Sequence, residues 1–487
     1  MKNTLVIENN VWAKMSGPRV PDVVGLLRFK PKGYQFAPAY KAFDEARRRG
    51  DRNPRGWDGW IKLTRQTDDA IRVPAGLVPL VMQQPWAQDI ELDDRRVQPP
   101  DTGGDLYATR PLVTLDPHQL SAVEAAVQAE QGLIVYPTGT GKGRIIGEII
   151  RRLNVQTLVI CDKLDLVTQL RREISQATGH TVGTIGGGKF SLDDIVVSTY
   201  QSLTRILEDD GRAPEAAALT GYGCVIVDEG HHAEAKTMSE VLQHIPAYYR
   251  LGFSATAFKS YKGKAEDKGT FLRVQAFLGP VIASMSIAEG VATERIVPPD
   301  IYIVHGCTPD PLLKPINYSE EYQANIVNNE ARNFIVTSLA RKLQPTVVLV
   351  QRIEHGELLA RYLKGYAGGV PFVSGQTPVA ERQVHYEAFK RGDIPCLIIG
   401  KIGDEALDLP NIGALILAGG GNAPHVQIQR IGRGMRASEG KERVMVFDFE
   451  DYGKYLPAHY KRRVRTYNGE VAYSVIDVDA LELGSNP

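Results

Sequence analysis

Apolar residues gather in short unbroken runs along most of this chain, and the runs come in two series. The first covers 133–135, 157–161, 195–198, 224–227 and 250–253. The second covers 346–350, 370–373, 396–399, 414–418 and 443–449. Such runs fit strands buried on both faces, the kind found inside parallel sheets. Between them apolar residues return at helical spacing, as at Ile145, Ile146, Ile149, Ile150 and Leu153. Strands alternating with helices predict doubly wound parallel sheets, so the expected fold class is α/β with one sheet per series.

The first hundred residues follow another rhythm. Short apolar stretches are broken by Gly50, Asn53, Pro54 and Gly59, which suggests a small α+β module. Pro99, Pro100, Gly103 and Gly104 mark a linker, and Pro298-Pro299 punctuates the chain between the two series. The expected division is a small N-terminal domain over 1–108, a first lobe over 109–297, and a second lobe over 298–487 with a short C-terminal extension. About three domains is the ordinary expectation for 487 residues.

Charge narrows the candidates. The 57 basic residues balance 57 acidic ones, so any nucleic-acid contact must come from local patches. One patch lies near the start. Between Arg28 and Arg72 there are twelve basic and six acidic residues, interleaved with Tyr34, Phe36, Tyr40, Phe43, Trp57 and Trp60. Cations bind phosphates and flat rings stack on unpaired bases, which makes Arg47, Arg48, Arg49 and Trp57 candidate DNA contacts. A small domain with an aromatic core and a solvated charged face has the same composition. The four cysteines, Cys161, Cys224, Cys307 and Cys396, form no C-x-x-C pair and read as buried free thiols in a reducing cytoplasm. No apolar run has membrane-spanning length, and the polar N-terminus does not read as a signal peptide.

The candidate chemistry sits where apolar runs end. After the run at 133–135 come Pro137, Thr138, Gly139, Thr140, Gly141, Lys142 and Gly143, and then the helical spacing. Strand, glycine loop, lysine and helix form the layout of a phosphate-binding loop. Glycines let backbone N–H groups turn toward phosphate oxygens, and the helix N-terminus adds partial positive charge. Lys142 would reach the β- and γ-phosphates of ATP. A chance glycine turn with a surface lysine is the plainer alternative. One residue departs from the pattern: Gly143 stands where a Ser or Thr hydroxyl would bind Mg²⁺. Glycine leaves space, so a water is expected in the missing place, with a weaker Mg²⁺ dependence.

The run at 224–227 leads into Asp228-Glu229-Gly230-His231-His232. Acids at the end of a buried strand suit a sheet-edge site. Asp228 can hold Mg²⁺ directly or through water, and Glu229 can orient and deprotonate an attacking water. His231 and His232 lack further ligands at sensible spacing, which argues against zinc. Gln119 is suited to read an adenine edge, because an amide both donates and accepts. Lys163, Thr199 and the loop with Lys259, Lys262 and Lys264 are candidate DNA contacts, though that basic loop also reads as plain solvated chain. In the second series, Gln429, Arg433 and Arg436 fall in a stretch whose arginines are three apart and share a helix face. Arginines presented to a nucleotide act as fingers on the transferring phosphoryl group.

Taken in order, these motifs resemble the superfamily 2 helicases, closest to the group of XPB, RecG and the phage UvsW recombination helicases. Gln119 falls in the upstream glutamine motif, Gly139 to Gly143 in motif I, Asp162 to Gln169 in motif Ia, and Asp228 to His231 in the D-E-x-H box. Ser254 to Thr256 resembles motif III, Gly403 to Asp408 motif V, and Gln429 to Arg436 motif VI. The resemblance implies two tandem RecA-like lobes with ATP and Mg²⁺ between them and single-stranded nucleic acid across their tops. It places Asp408 among the nucleotide-binding residues. Lys30 to Tyr34, Gly56 to Gly59 and Pro74 to Leu77 are similar to landmarks of the UvsW accessory domain. That likeness implies a phage-type enzyme of recombination, repair or replication that remodels branched DNA: forks, D-loops, R-loops with their RNA–DNA hybrids, and four-way junctions. It further implies 3′→5′ movement, a monomer, and the host cytoplasm. Besides Gly143, two residues depart from the family pattern: Ala406 replaces a glycine of motif V, and Lys163 a threonine of motif Ia. Two alternatives stay open. One is the motor of a restriction system, for which the roughly 20–40 residues past the last expected strand are too few to add a nuclease. The other is a nucleotide-gated DNA-binding protein without turnover.

Overall fold

A computed structural model describes residues 2–51, 53–100, 113–255, 268–310, 312, 317–366, 368–401, 409, 411–421 and 424–484. The chain divides into two compact units. One comprises Met1–Tyr136 with Lys142–Ser284, the other Pro137–Gly141 with Met285–Pro487. The division thus falls after Ser284, whereas the sequence suggests 297/298. Among the described residues there are four sheets, of five, eight, seven and two strands.

The first unit begins with the five-stranded sheet, in the order Arg65–Gln66, Ile71–Pro74, Trp12–Ser16, Asn3–Ile7, Ile90–Asp94. Its strands alternate: Leu5, Ile7, Ala13 and Met15 are buried while their neighbours are not. Period two is the mark of a sheet covered on one face. The cover includes the helix Lys268–Leu278, whose Leu272 and Ala276 share a core with Leu5, Met15, Val73 and Leu77. Gly76 permits the approach, since a Cβ there would overlap the carbonyl oxygen of Gln275.

The eight-stranded sheet of this unit runs Lys189–Ser191, Gly183–Gly186, Ile195–Thr199, Thr157–Cys161, Cys224–Val227, Tyr249–Ser254, Gln131–Val135, Val281–Ser284. Every pairing is parallel except the hairpin at the first edge. All five expected strands are present and central. The other three are the two edge strands and, next to one of them, Gly183–Gly186; they are glycine-rich or partly exposed and lack the continuous apolar signal. Arg250 is fully buried in a central strand. It donates to the carbonyls of Phe277, Ile245 and Leu242 at 2.9, 2.6 and 2.9 Å, and burial pulls its pKa down to about 10. Arg250→Leu strands those three acceptors and should cost about 3 kcal/mol or more, read as a lower denaturant midpoint.

In the second unit seven parallel strands run Phe372–Val373, Cys396–Ile399, Thr346–Leu349, Ala414–Ile416, Val444–Phe449, Pro299–His305, Ser474–Asp479. Two of these were not expected. Pro299, read from sequence as punctuation, opens a strand paired on both sides, where a missing N–H is tolerated. Ser474–Asp479 extends the sheet with residues taken from sequence for a C-terminal extension. A buried ionic network underlies the strand ends: Arg463 meets Asp448 at 2.7 Å and Asp451 at 3.0 Å, and Arg332 meets Asp451 at 3.0 Å. Arg332 and Arg463 also donate to the carbonyls of Ala418 and Gly421, fixing the chain that leads to the helix Pro424–Gly434. All four cysteines are buried and unpaired with one another. Among the described residues no helix is long and apolar enough to cross a membrane.

Candidate functional site

In a parallel sheet the carboxyl ends of the strands share one edge, and ligand sites form there. The glycine loop leaves Gln131–Val135 at that edge and enters the helix Lys142–Leu153. Gly139 and Gly141 adopt φ of 93° and 80°, in the left-handed region that glycine enters without strain. The buried Thr140 hydroxyl donates to the Pro137 carbonyl at 2.8 Å, holding the turn.

Asp228 and Glu229 follow Cys224–Val227 at the same sheet edge, with the strand Tyr249–Ser254 between them and Gln131–Val135. Asp228 N–H donates to the Ile160 carbonyl at 2.8 Å. Burial, followed by the adjacent charge of Glu229, pushes the Asp228 carboxyl up to about 6; Lys142 opposes the shift and Glu173 adds to it. Lys142 and Glu173 thus both lie within electrostatic reach of Asp228. Glu229 has φ 53° and ψ 51°, a left-handed conformation that is costly for a side chain other than Gly, Asn or Asp. Its Oε2 lies 3.3 Å from His231 Nδ1, which is 3.4 Å from Ser254 Oγ. His231 thus links Glu229 to the end of Tyr249–Ser254, a role for the D-E-x-H histidine that its sequence does not reveal.

Other expected site residues take different positions. Gln119 is buried, and its Oε1 accepts from Asp116 N–H at 3.0 Å in a capping box for the helix Pro117–Ala129. Thr199 is also buried, and its hydroxyl caps the helix Tyr200–Leu207 by accepting from Ser202 N–H. Lys163, half-buried, stands at the N-cap of the helix Leu164–Thr178. Gly143 offers no open space: a Cβ there would overlap Glu173 Oε2, so the expected vacancy for a water is filled by a carboxylate. Thr256, Lys259, Lys262, Lys264, Ala406 and Asp408 lie outside the described residues.

Sequence reading passed over Gly186, Gly187 and Gly188, although three consecutive glycines are a visible signal. All three have positive φ. With Lys189, Arg205 and Arg212 they line a cavity of about 200 Å³ near the carboxyl end of Gly183–Gly186. Backbone N–H groups and cations so arranged suit a phosphate.

In the second unit, Gln429, Arg430 and Arg433 are buried on the helix Pro424–Gly434, and Arg430 donates to the Gly420 carbonyl at 3.0 Å. Arg436 lies past the helix end, so it does not continue the expected face; its backbone bridges to Ile296 instead. The loop Pro137–Gly141 belongs to this unit. A Cβ at Gly432 would stand 3.2 Å from Thr138 Oγ1, and one at Gly139 3.0 Å from Arg436 Cγ.

The N-terminal aromatics are engaged by the chain's own cations. Lys30 Nζ lies 4.5 Å from the Tyr34 ring centre and 5.2 Å from that of Trp60, and the Arg28 guanidinium is 4.4 Å from Trp60. Trp57 is half-buried and donates to the Trp60 carbonyl at 2.8 Å. Arg48 and Arg49 pair with Asp44 and Glu45 on their own helix, and Arg47 is exposed. Phe36 stands clear, 71% exposed.

Residues 112–259 match the family described as Type III restriction enzyme, res subunit, and residues 330–438 match the Helicase conserved C-terminal domain. Rad25 of Halobacterium salinarum is 26% identical over 77% of this chain and 59% of its own length. The DNA 3′-5′ translocase XPB2 of Sulfurisphaera tokodaii is 24% identical over 69% of this chain and 81% of its own. This chain thus spans less than two thirds of the first of these relatives. Among solved structures, the ATP-dependent Type ISP restriction-modification enzyme LlaBIII bound to DNA shares the fold, with a TM-score of 0.56 at 16% identity over 82% of this chain and 34% of that one.

Proposed function

We propose that this chain, which matches the Type III restriction enzyme res subunit family and the Helicase conserved C-terminal domain in turn, is a superfamily 2 DNA helicase that couples ATP hydrolysis to movement along DNA. The observation that carries the reading is the grouping of Lys142, Asp228 and Glu229 at one sheet edge, with Glu229 oriented by His231. In this reading the glycine loop and Lys142 cradle the phosphates, and Glu229 takes the proton of the attacking water. Asp228 would hold the divalent ion that accompanies ATP, which supplies neutralisation of phosphate charge. The carboxylate suits Mg²⁺, which is held through one or two carboxylates and takes most of its other ligands from water and phosphate. Arg433 and Arg436 act as fingers, a role supported by the packing of Gly432 and Arg436 on the loop residues Thr138 and Gly139.

The track is DNA, met by Lys163 and by the cavity of Gly186–Gly188, Lys189 and Arg205. We assign branched DNA of the UvsW-type substrates, with residues 1–108 as an accessory DNA-binding domain. The support is the excess of basic residues and the exposed Phe36. Phe36→Ala should weaken fork binding by about 1–3 kcal/mol through lost stacking, measured near physiological salt because low salt inflates phosphate contacts. Equal fork affinity in the variant removes this assignment. A point variant is the right tool, because deleting the N-terminal segment would uncover Leu272 and Ala276. Unwinding assays on fork, R-loop, four-way junction and linear duplex test the whole reading. A second reading, the motor of a restriction system, is favoured by the description of the family matched over 112–259. It predicts no preference for branched DNA over linear duplex.

A further inference from the structure

Gly143 opens the helix Lys142–Leu153, directly after the loop lysine. In phosphate-binding loops the residue at this place supplies a hydroxyl to the divalent ion beside the nucleotide. Here it has no side chain, yet the place is filled from elsewhere. A Cβ at Gly143 would overlap Glu173 Oε2, with Glu173 Cδ 2.8 Å and Glu173 Cβ 3.3 Å away. Glu173 belongs to the neighbouring helix, Leu164–Thr178.

The same two helices meet again one turn on. A Cβ at Gly147 would overlap Ala177 Cβ. Gly143 and Gly147 are four residues apart, as are Glu173 and Ala177, so each pair lies along one helix face. The glycines let the helices close up, and that approach carries a carboxylate to the start of the phosphate-loop helix. Glu173 Oε1 accepts from Gln169 Nε2 at 2.7 Å, which orients the group. Its charge reaches Asp228, the acid that follows the strand Cys224–Val227.

We propose that Glu173 replaces the missing hydroxyl, offering Oε2 as the ligand for the divalent cation where the loop ordinarily offers Ser or Thr. The inference rests on reading the loop as a nucleotide site. It reverses the expectation drawn from Gly143 alone. A carboxylate is charged where a hydroxyl is neutral, so Glu173 repels bare phosphates and attracts a cation that bridges to them. Nucleotide binding should depend on the metal more strongly, not less.

The test uses the full chain, a fluorescent ADP analogue and Mn²⁺, with binding followed by fluorescence and by Mn²⁺ electron paramagnetic resonance. In Glu173→Ala the Mn²⁺ concentration that half-saturates the nucleotide-bound protein should rise by about tenfold or more. Affinity for the analogue in EDTA should stay the same or improve. Adding Gly143→Ser to Glu173→Ala should restore the Mn²⁺ midpoint, because the hydroxyl then has both its position and its space. A merely structural Glu173 would weaken the metal-free and metal-loaded complexes together, and that result overturns the proposal. So does an unchanged Mn²⁺ midpoint. If Glu173→Ala does not fold, Glu173→Gln keeps the volume and removes the charge, and the same two outcomes decide. A parent protein that binds the analogue neither with Mn²⁺ nor in EDTA fails at the nucleotide site itself, a failure distinct from loss of the Glu173 effect.

Discussion

Glu229→Gln should bind ATP and DNA as the parent does and hydrolyse ATP about 10²–10⁴-fold more slowly. The residue ends the strand Cys224–Val227 after Asp228 and holds a left-handed backbone conformation. Strain of this kind persists only where the surroundings enforce it, and His231 and Ser254 supply part of that enforcement. The amide keeps the shape of the carboxylate and loses its basicity, so only proton transfer should suffer. Phosphate release measures the loss, while fluorescent-nucleotide and fork titrations check that binding survives. A Glu229→Gln protein that turns over ATP at the parent rate would remove Glu229 from the chemistry.

Arg433→Ala should lower hydrolysis by about 10³–10⁵-fold with little change in ATP affinity. The side chain is buried on the helix Pro424–Gly434, next to the Gly432 that packs on Thr138 of the phosphate loop. A finger stabilises charge that develops only in the transition state, so the loss belongs in kcat rather than in KM. Arg433→Lys keeps the charge without the planar fork and should recover little. Loss of ATP affinity in step with rate would make Arg433 a ground-state contact and remove its finger role.

Much of the architecture is legible before any coordinates. The central strands of both parallel sheets are buried on both faces, so their sequences are continuous apolar runs, as at Thr157–Cys161 and Cys396–Ile399. Edge strands lack that pressure, which is why Lys189–Ser191 and Ser474–Asp479 left no comparable signal. Pro299 misleads because proline usually ends elements, yet a first strand position tolerates it. The loop, Lys142, Asp228 and Glu229 are legible because their spacing along the chain reports their place on one edge. Glu173 is not, because only the packing of two helices brings it to Gly143. Residue type alone likewise cannot show that Gln119 and Thr199 serve as helix caps. The ion pairs of Arg332, Asp448, Asp451 and Arg463 join residues far apart in the chain, and no local pattern announces them.

Phosphate release by the parent protein, with and without DNA, decides whether this chain turns ATP hydrolysis into movement on DNA. Slow release without DNA should rise clearly when forked DNA is added, at Mg²⁺ concentrations that saturate the nucleotide. No release with DNA at any Mg²⁺ concentration, from a protein that still binds ATP, would contradict that coupling and leave a nucleotide-gated DNA-binding protein in its place.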